Sequence, residues 1–304
     1  MKKFIATTTI YEPSVALKKY AAMEGWTLVI AGDKKTPHEK YLEMPGVIYM
    51  TPEKQANLYP VLSDLIGWNC MQRRNIAILH AYKLGADVIA IIDDDNIPLE
   101  NWGKNLLVGQ TFECDTYTPV HHGVFDPLSV TEYKHLWHRG YPLIHLVGKN
   151  EHVMSKTTIR PVVQADLWNG DPDIDAVCRM EHAPVCTFQT DVFPFTTTVP
   201  SPFNSQNIFI LREAVRDYFL CPGIGRMDDI WAAYFLESKG HRVVYNTASV
   251  FQDRNVHDLV KDFSDEIIGY QNTHLLLKEP SNIQKYIPER SWQAFLEFQR
   301  EVDI

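Results

Sequence analysis

Residues 88–96 read VIAIIDDDN: five apolar side chains in a row, then three carboxylates and an asparagine. An apolar run without alternation is the pattern of a strand covered on both faces, as in a parallel sheet. Alternation carried past the strand end places Asp93 and Asp95 on one side and Asp94 on the other. Adjacent carboxylates repel one another unless a cation sits among them. Oxygen donors suit a hard divalent ion, Mn2+ or Mg2+, held by one or two carboxylates plus phosphate oxygens of a ligand. The competing reading is a solvated acidic turn, with Asn96 and Pro98 as turn formers.

The flanking sequence repeats the strand pattern. Residues 3–10, 26–31 (WTLVIA) and 47–50 read as strands, with Val15, Leu17, Tyr20 and Ala21 at helical spacing between the first two. Asn69 with Gln72 has capping-box spacing. The helix it predicts carries Ile76, Ala77, Leu79, Ala81 and Leu84 inward and stops at Gly85. Strands alternating with helices give βαβ units, hence an α/β fold with a mostly parallel central sheet flanked by helices. Ligands of such sheets bind at the carboxyl ends of the strands, where the aspartates stand.

The second half is less regular. Residues 119–202 are rich in proline, glycine and aromatics. Residues 203–211 read as a strand, 212–219 as a short helix, 228–238 as a helix opened by a glycine loop, and 242–245 as a last strand. An amphipathic helix follows Pro288. The simplest division is a single domain over 1–304: a ligand-binding half at 1–118, a catalytic half at 119–280 and a C-terminal helix at 281–304.

The chain has 304 residues, 12% aromatics and a formal charge of −9, which excludes a disordered or coiled-coil protein and argues against nucleic acid or an anionic membrane as main partner. Five cysteines without a CxxC pair fit a reducing compartment. With no signal-like start and no run of about 18 apolar residues, a cytoplasmic, non-membrane setting is expected. P-loop, GxSxG and GxGxxG motifs are missing. Asp171, Asp173 and Asp175 imitate the opening of a calcium loop, but Ala176 and His182 stand where glycine and glutamate are needed.

Acidic residues after a buried βαβ strand resemble the DxD motif of GT-A glycosyltransferases. Residues 26–95 (WTLVIAGDKKTP, GVIYMTPEKQ, QRRNIAILHAYKLGADVIAIIDDDN) and 202–207 (PFNSQN) look like the STELLO-type glycosyltransferase domain. Residues 92–95 (IDDD), 139–142 (RGYP), 172–176 (PDIDA) and 225–232 (GRMDDIWA) are similar to the reversibly glycosylated polypeptides, the UDP-arabinopyranose mutases. Both resemblances imply a Rossmann-like GT-A fold, a UDP-sugar and Mn2+ or Mg2+. Asp95 and Asp93 then hold the cation, with His257 as a further metal ligand. The nucleotide sugar meets Thr7, Asp33 (to the base), Arg73, Asp94, Arg139 and Asn207. Arg73 and Arg74 both stand where a cation opposes the helix dipole, a mismatch that a bound anion repairs; at least one, Arg73 by preference, is expected near the nucleotide.

An inverting transferase needs a carboxylate to take the proton of the acceptor hydroxyl. Asp229 is the expected base and Asp228 its partner or helix cap; the two roles are interchangeable. The expected reaction transfers a sugar from a nucleoside diphosphate sugar to a glycan or other hydroxyl acceptor. A UDP-sugar mutase is the alternative; its pattern implies that Arg139 becomes glycosylated, but it has a second arginine where this chain has Leu146. A non-catalytic nucleotide-sugar-binding protein is the third reading.

Overall fold

The computed structural model describes residues 1–189, 191–253 and 258–304. Its strands are β1 (Lys3–Thr9), β2 (Trp26–Gly32), β3 (Val47–Met50), β4 (Val88–Ile92), β5 (Asn96–Pro98), β6 (Phe112–Pro119), β7 (His152–Ile159), β8 (Val163–Gly170), β9 (Phe195–Thr197), β10 (Asn207–Leu211) and β11 (Val243–Gln252). Its helices are α1 (Val15–Ala21), α2 (His38–Leu42), α3 (Pro52–Leu58), α4 (Pro60–Ile66), α5 (Arg74–Lys83), α6 (Ala176–His182), α7 (Asp228–Ser238), α8 (Leu259–Leu276) and α9 (Glu289–Asp303). The α/β fold with a large helix-flanked central sheet is as the sequence predicts.

The sheet runs β3-β2-β1-β4-β10-β8-β11-β9-β6-β7, with β5 beside β11. Its first four strands are parallel. Every residue of β4 is buried, as its unbroken apolar run requires. β10 then runs antiparallel to β4, with Asn207 opposite Ile92. Ser205 and Gln206, just ahead of β10, therefore lie beside the aspartates just beyond β4. β5 pairs Asn96 with Gln252, which clasps the acidic turn between β10 and β11.

Several local readings shift. The predicted strand over 203–211 begins only at Asn207, the last strand extends to Gln252, and the helix over 212–219 is a 3-10 turn at Arg212–Asp217. Asn69 is no helix cap: its φ is +57°, a left-handed bend, and the chain enters α5 through a 3-10 turn at Met71–Arg73. The far end of α5 is as expected, with Gly85 at φ +85° just past the last turn. The C-terminal helix follows Pro288 and stacks Phe295 and Phe298 on Phe219, ring centroids 5.3 and 5.2 Å away. No helix among the described residues is long and apolar enough to cross a membrane.

Candidate active site

The carboxyl ends of β1 and β4 open on two adjoining cavities. One, about 290 Å3, is bordered by Thr8, Thr9, Cys70, Arg74 and all three aspartates. The second, about 220 Å3, is bordered by Asp93 and Asp95 and by Asp228, Asp229, Arg139 and Arg226. Asp93 and Asp95 border the second cavity and Asp94 does not, although all three lie on a turn beyond β4 and share the first. A larger cavity of about 700 Å3 lies between α1 and residues 40–46, away from both acidic clusters.

The first cluster sits on a half-buried turn. The Thr9 hydroxyl donates to Asp94, whose carboxyl is raised, by burial first and by Asp93 second. Arg74 donates to Asp93 and, at 2.7 Å, to Ser205 Oγ. Burial depresses this guanidinium, but the charge and hydrogen bond of Asp93 together with the charges of Asp229 and Asp228 outweigh it, and the net shift is upward.

The second cluster is buried, and its two carboxylates differ. Asp229 accepts two bonds from Arg139 at 2.9 and 3.1 Å, plus the Ser205 backbone N–H at 2.9 Å and its hydroxyl at 3.2 Å. Burial raises it, yet the charge and hydrogen bonds of Arg139 outweigh burial and hold it below the usual carboxylate range. Asp228 accepts from Gln72 Nε2 at 2.7 Å; burial, then the charge of Asp229, raises it. Arg139 is also forked onto Asp173 at 2.8 and 2.9 Å, and Asn204 donates to the same Asp173 at 2.8 Å. Arg226 fixes the turn before α7 to α8 by donating to Glu266 at 2.7 Å.

Several sequence expectations need correction. Asp229, the expected base, has both oxygens engaged and its anion stabilised, whereas the carboxyl of Asp228, its interchangeable partner, is raised. Asp228 does not cap α7 either, since its side chain meets Gln72. Arg73 faces away from both cavities: it is buried, donates to Gln55 and Ser63, and lies 3.9 Å from the Trp68 ring centre. Burial lowers it to about 10. Arg74 takes the place assigned to it. Asn207 is a core residue that accepts from Trp102 and donates to Leu167 and Ser249, each at 3.0 Å.

Asp33 braces the site's edge, accepting from Lys34 N at 2.6 Å and Cys70 N at 3.0 Å. The Thr7 hydroxyl ties β1 to Ile92 O at 2.8 Å, leaving Thr8 and Thr9 to border the cavity. Arg139 borders the second cavity as a counter-charge between two aspartates. His257 lies outside the described residues. Among those described, no three histidine, cysteine or acidic groups converge enough to hold a metal alone. The hard-oxygen pair Asp93 and Asp95 fits Mn2+ or Mg2+ completed by phosphate oxygens and water. Sequence reading ranked Arg74 behind Arg73 and missed Gln72 and Ser205. It weighed Asp173 only as a calcium ligand, although the similarity at 172–176 marked it.

No family model matches the chain. Comparison with curated proteins makes it a homologue of glycosyltransferases. The relatives are the probable glycosyltransferases STELLO2 and STELLO1 of Arabidopsis thaliana, each 27% identical over 188 residues, 58% of this chain and 24% of theirs. The chain thus spans about a quarter of the length of these relatives. Among solved structures, glucosyl-3-phosphoglycerate synthase from Mycobacterium tuberculosis is similar in two complexes. With phosphoglyceric acid it has a TM-score of 0.46 and 12% identity, over 95% of this chain and 81% of that one. With Mg2+ and uridine diphosphate it has a TM-score of 0.46 and 11% identity, over 91% and 79%. At that TM-score the likeness adds nothing to the fold described above.

Proposed function

We propose that the chain is a metal-dependent glycosyltransferase that moves a sugar from a nucleoside diphosphate sugar, UDP-linked by preference, to a hydroxyl acceptor. One observation carries the reading: two acidic pairs from distant parts of the sequence, Asp93 with Asp95 and Asp228 with Asp229, border one cavity at the carboxyl ends of parallel strands. The relation to the STELLO proteins supports the same class.

Asp93 and Asp95 would hold Mn2+ or Mg2+, which when bound neutralises charge on a departing diphosphate. Arg74 adds a guanidinium on the same side. The first cavity, with Thr8 and Thr9, takes the nucleotide. Asp228 accepts the proton of the acceptor hydroxyl; its raised pKa suits a base working near neutral pH, and a base facing the acceptor implies inversion. The stable anion of Asp229 keeps its neighbour's proton affinity high.

This assignment favours transfer over ring isomerisation. Arg139 is raised well above its ordinary range because Asp173 and Asp229 outweigh the effect of burial, so its guanidinium stays protonated and is no nucleophile. The test is a thermal-shift titration with UDP-sugars, with and without Mn2+. The parent should be stabilised by sugar nucleotide and manganese together, and Asp95→Ala should lose the metal-dependent part. Equal stabilisation of both proteins refutes the reading.

A further inference from the structure

Gln206 and Gln252 border the second cavity together with the two acidic pairs, and both are at least nine-tenths buried. Each has a side-chain oxygen, Oε1, that is buried with no hydrogen-bond partner. Buried polar atoms are almost always bonded, so two orphans on one small cavity call for a partner from outside the chain.

Both residues stand on a rigid frame. The Gln206 carbonyl accepts Asp93 N at 3.2 Å and Asn96 Nδ2 at 2.9 Å, which ties it to the acidic turn. Gln252 pairs with Asn96 on one side and Gly170 on the other. At Gly170 a Cβ would stand 2.4 Å from the Gln252 carbonyl oxygen, so β8 and β11 touch closely there. These bonds and pairings hold both backbones beside the acidic turn.

A carboxamide presents an acceptor and a two-proton donor without charge. Two of them suit neutral groups that both donate and accept, which is the chemistry of sugar hydroxyls; a diphosphate asks for cations instead. We propose that Gln206 and Gln252 bind ring hydroxyls of the donor's glycosyl group and so determine which sugar the site accepts. The proposal rests on the nucleotide-sugar reading above. The donor rather than the acceptor is assigned because both glutamines flank Asp93 and Asp95, the carboxylates beside which the diphosphate would lie.

The test measures affinity for UDP alone and for UDP-glucose, UDP-galactose and UDP-arabinopyranose, with Mn2+ and no acceptor, in the parent, Gln206→Leu and Gln252→Leu. The parent should bind one of these sugars more tightly than UDP. Each variant should bind that sugar roughly tenfold more weakly, with its affinity for UDP unchanged. Deoxy analogues of the preferred sugar add a second readout. Removing the hydroxyl that is bound should weaken the parent about tenfold and the matching variant no further, because the two changes delete one contact.

Variants that bind the sugar nucleotide as the parent does overturn the assignment. So does a parallel loss of UDP and UDP-sugar, the mark of a purely structural role. A parent that binds UDP but gains nothing from any sugar also overturns it. A parent that binds neither UDP nor any UDP-sugar fails the underlying reading instead, and the glutamine assignment falls with it.

Discussion

The two acidic clusters border one cavity of about 220 Å3 and are built on opposite principles. Asp93–Asp95 sit on a half-buried turn past a strand, where a ligand can approach them from more than one side. Asp228 and Asp229 are buried at the start of a helix, and Asp229 has Arg139 as its own counter-charge. The first design leaves room for a cation from solution; the second fixes charge so that one carboxylate differs from its neighbour. A catalytic centre needs both kinds, one to gather the ligand and one already tuned before it arrives.

The contrast can be broken at several points. Asp228→Asn removes the proton acceptor and keeps the shape; turnover should fall by about 10²–10⁴ with donor affinity close to that of the parent, as steady-state kinetics and donor titration would show. Full turnover would return the base to Asp229. Arg139→Leu leaves Asp173 and Asp229 buried without their shared guanidinium. Stability should drop by about 3–5 kcal/mol in urea unfolding, far more than for loss of an exposed ion pair.

The finest probe is pH. On the proposed assignment turnover requires ionised Asp228, so it should decline as pH falls through that residue's raised pKa. Asp229→Asn removes the adjacent negative charge, which lowers the pKa of Asp228. The acidic limb of the kcat profile should then move to lower pH. An unmoved limb would mean that the two carboxylates do not communicate.

The sequence made the first cluster legible because β4 is buried on both faces and its apolar run ends in charge. The second was visible as a pair, but the division of labour within it was not. That division depends on Arg139 and Ser205, which are 90 and 24 residues from Asp229 in the chain. Arg73 and Arg74 were inverted for a local reason: the 3-10 turn ahead of α5 changes the direction in which successive side chains leave the backbone. The 202–207 segment pointed to the site correctly, yet Asn207, already within β10, turns into the core while Ser205 and Gln206 border the cavity. Asp173 was hidden because its partner lies 34 residues earlier.

Gly225, with φ at +57°, has no room for a side chain: a Cβ there would stand 2.0 Å from the backbone oxygen of Asp265 in α8. The turn that delivers Asp228 and Asp229 therefore rests directly on the main chain of α8. Any larger residue at 225 must pry that helix outward and tilt both carboxylates with it. Position 225 is thus a hinge pin, with no space for a larger side chain.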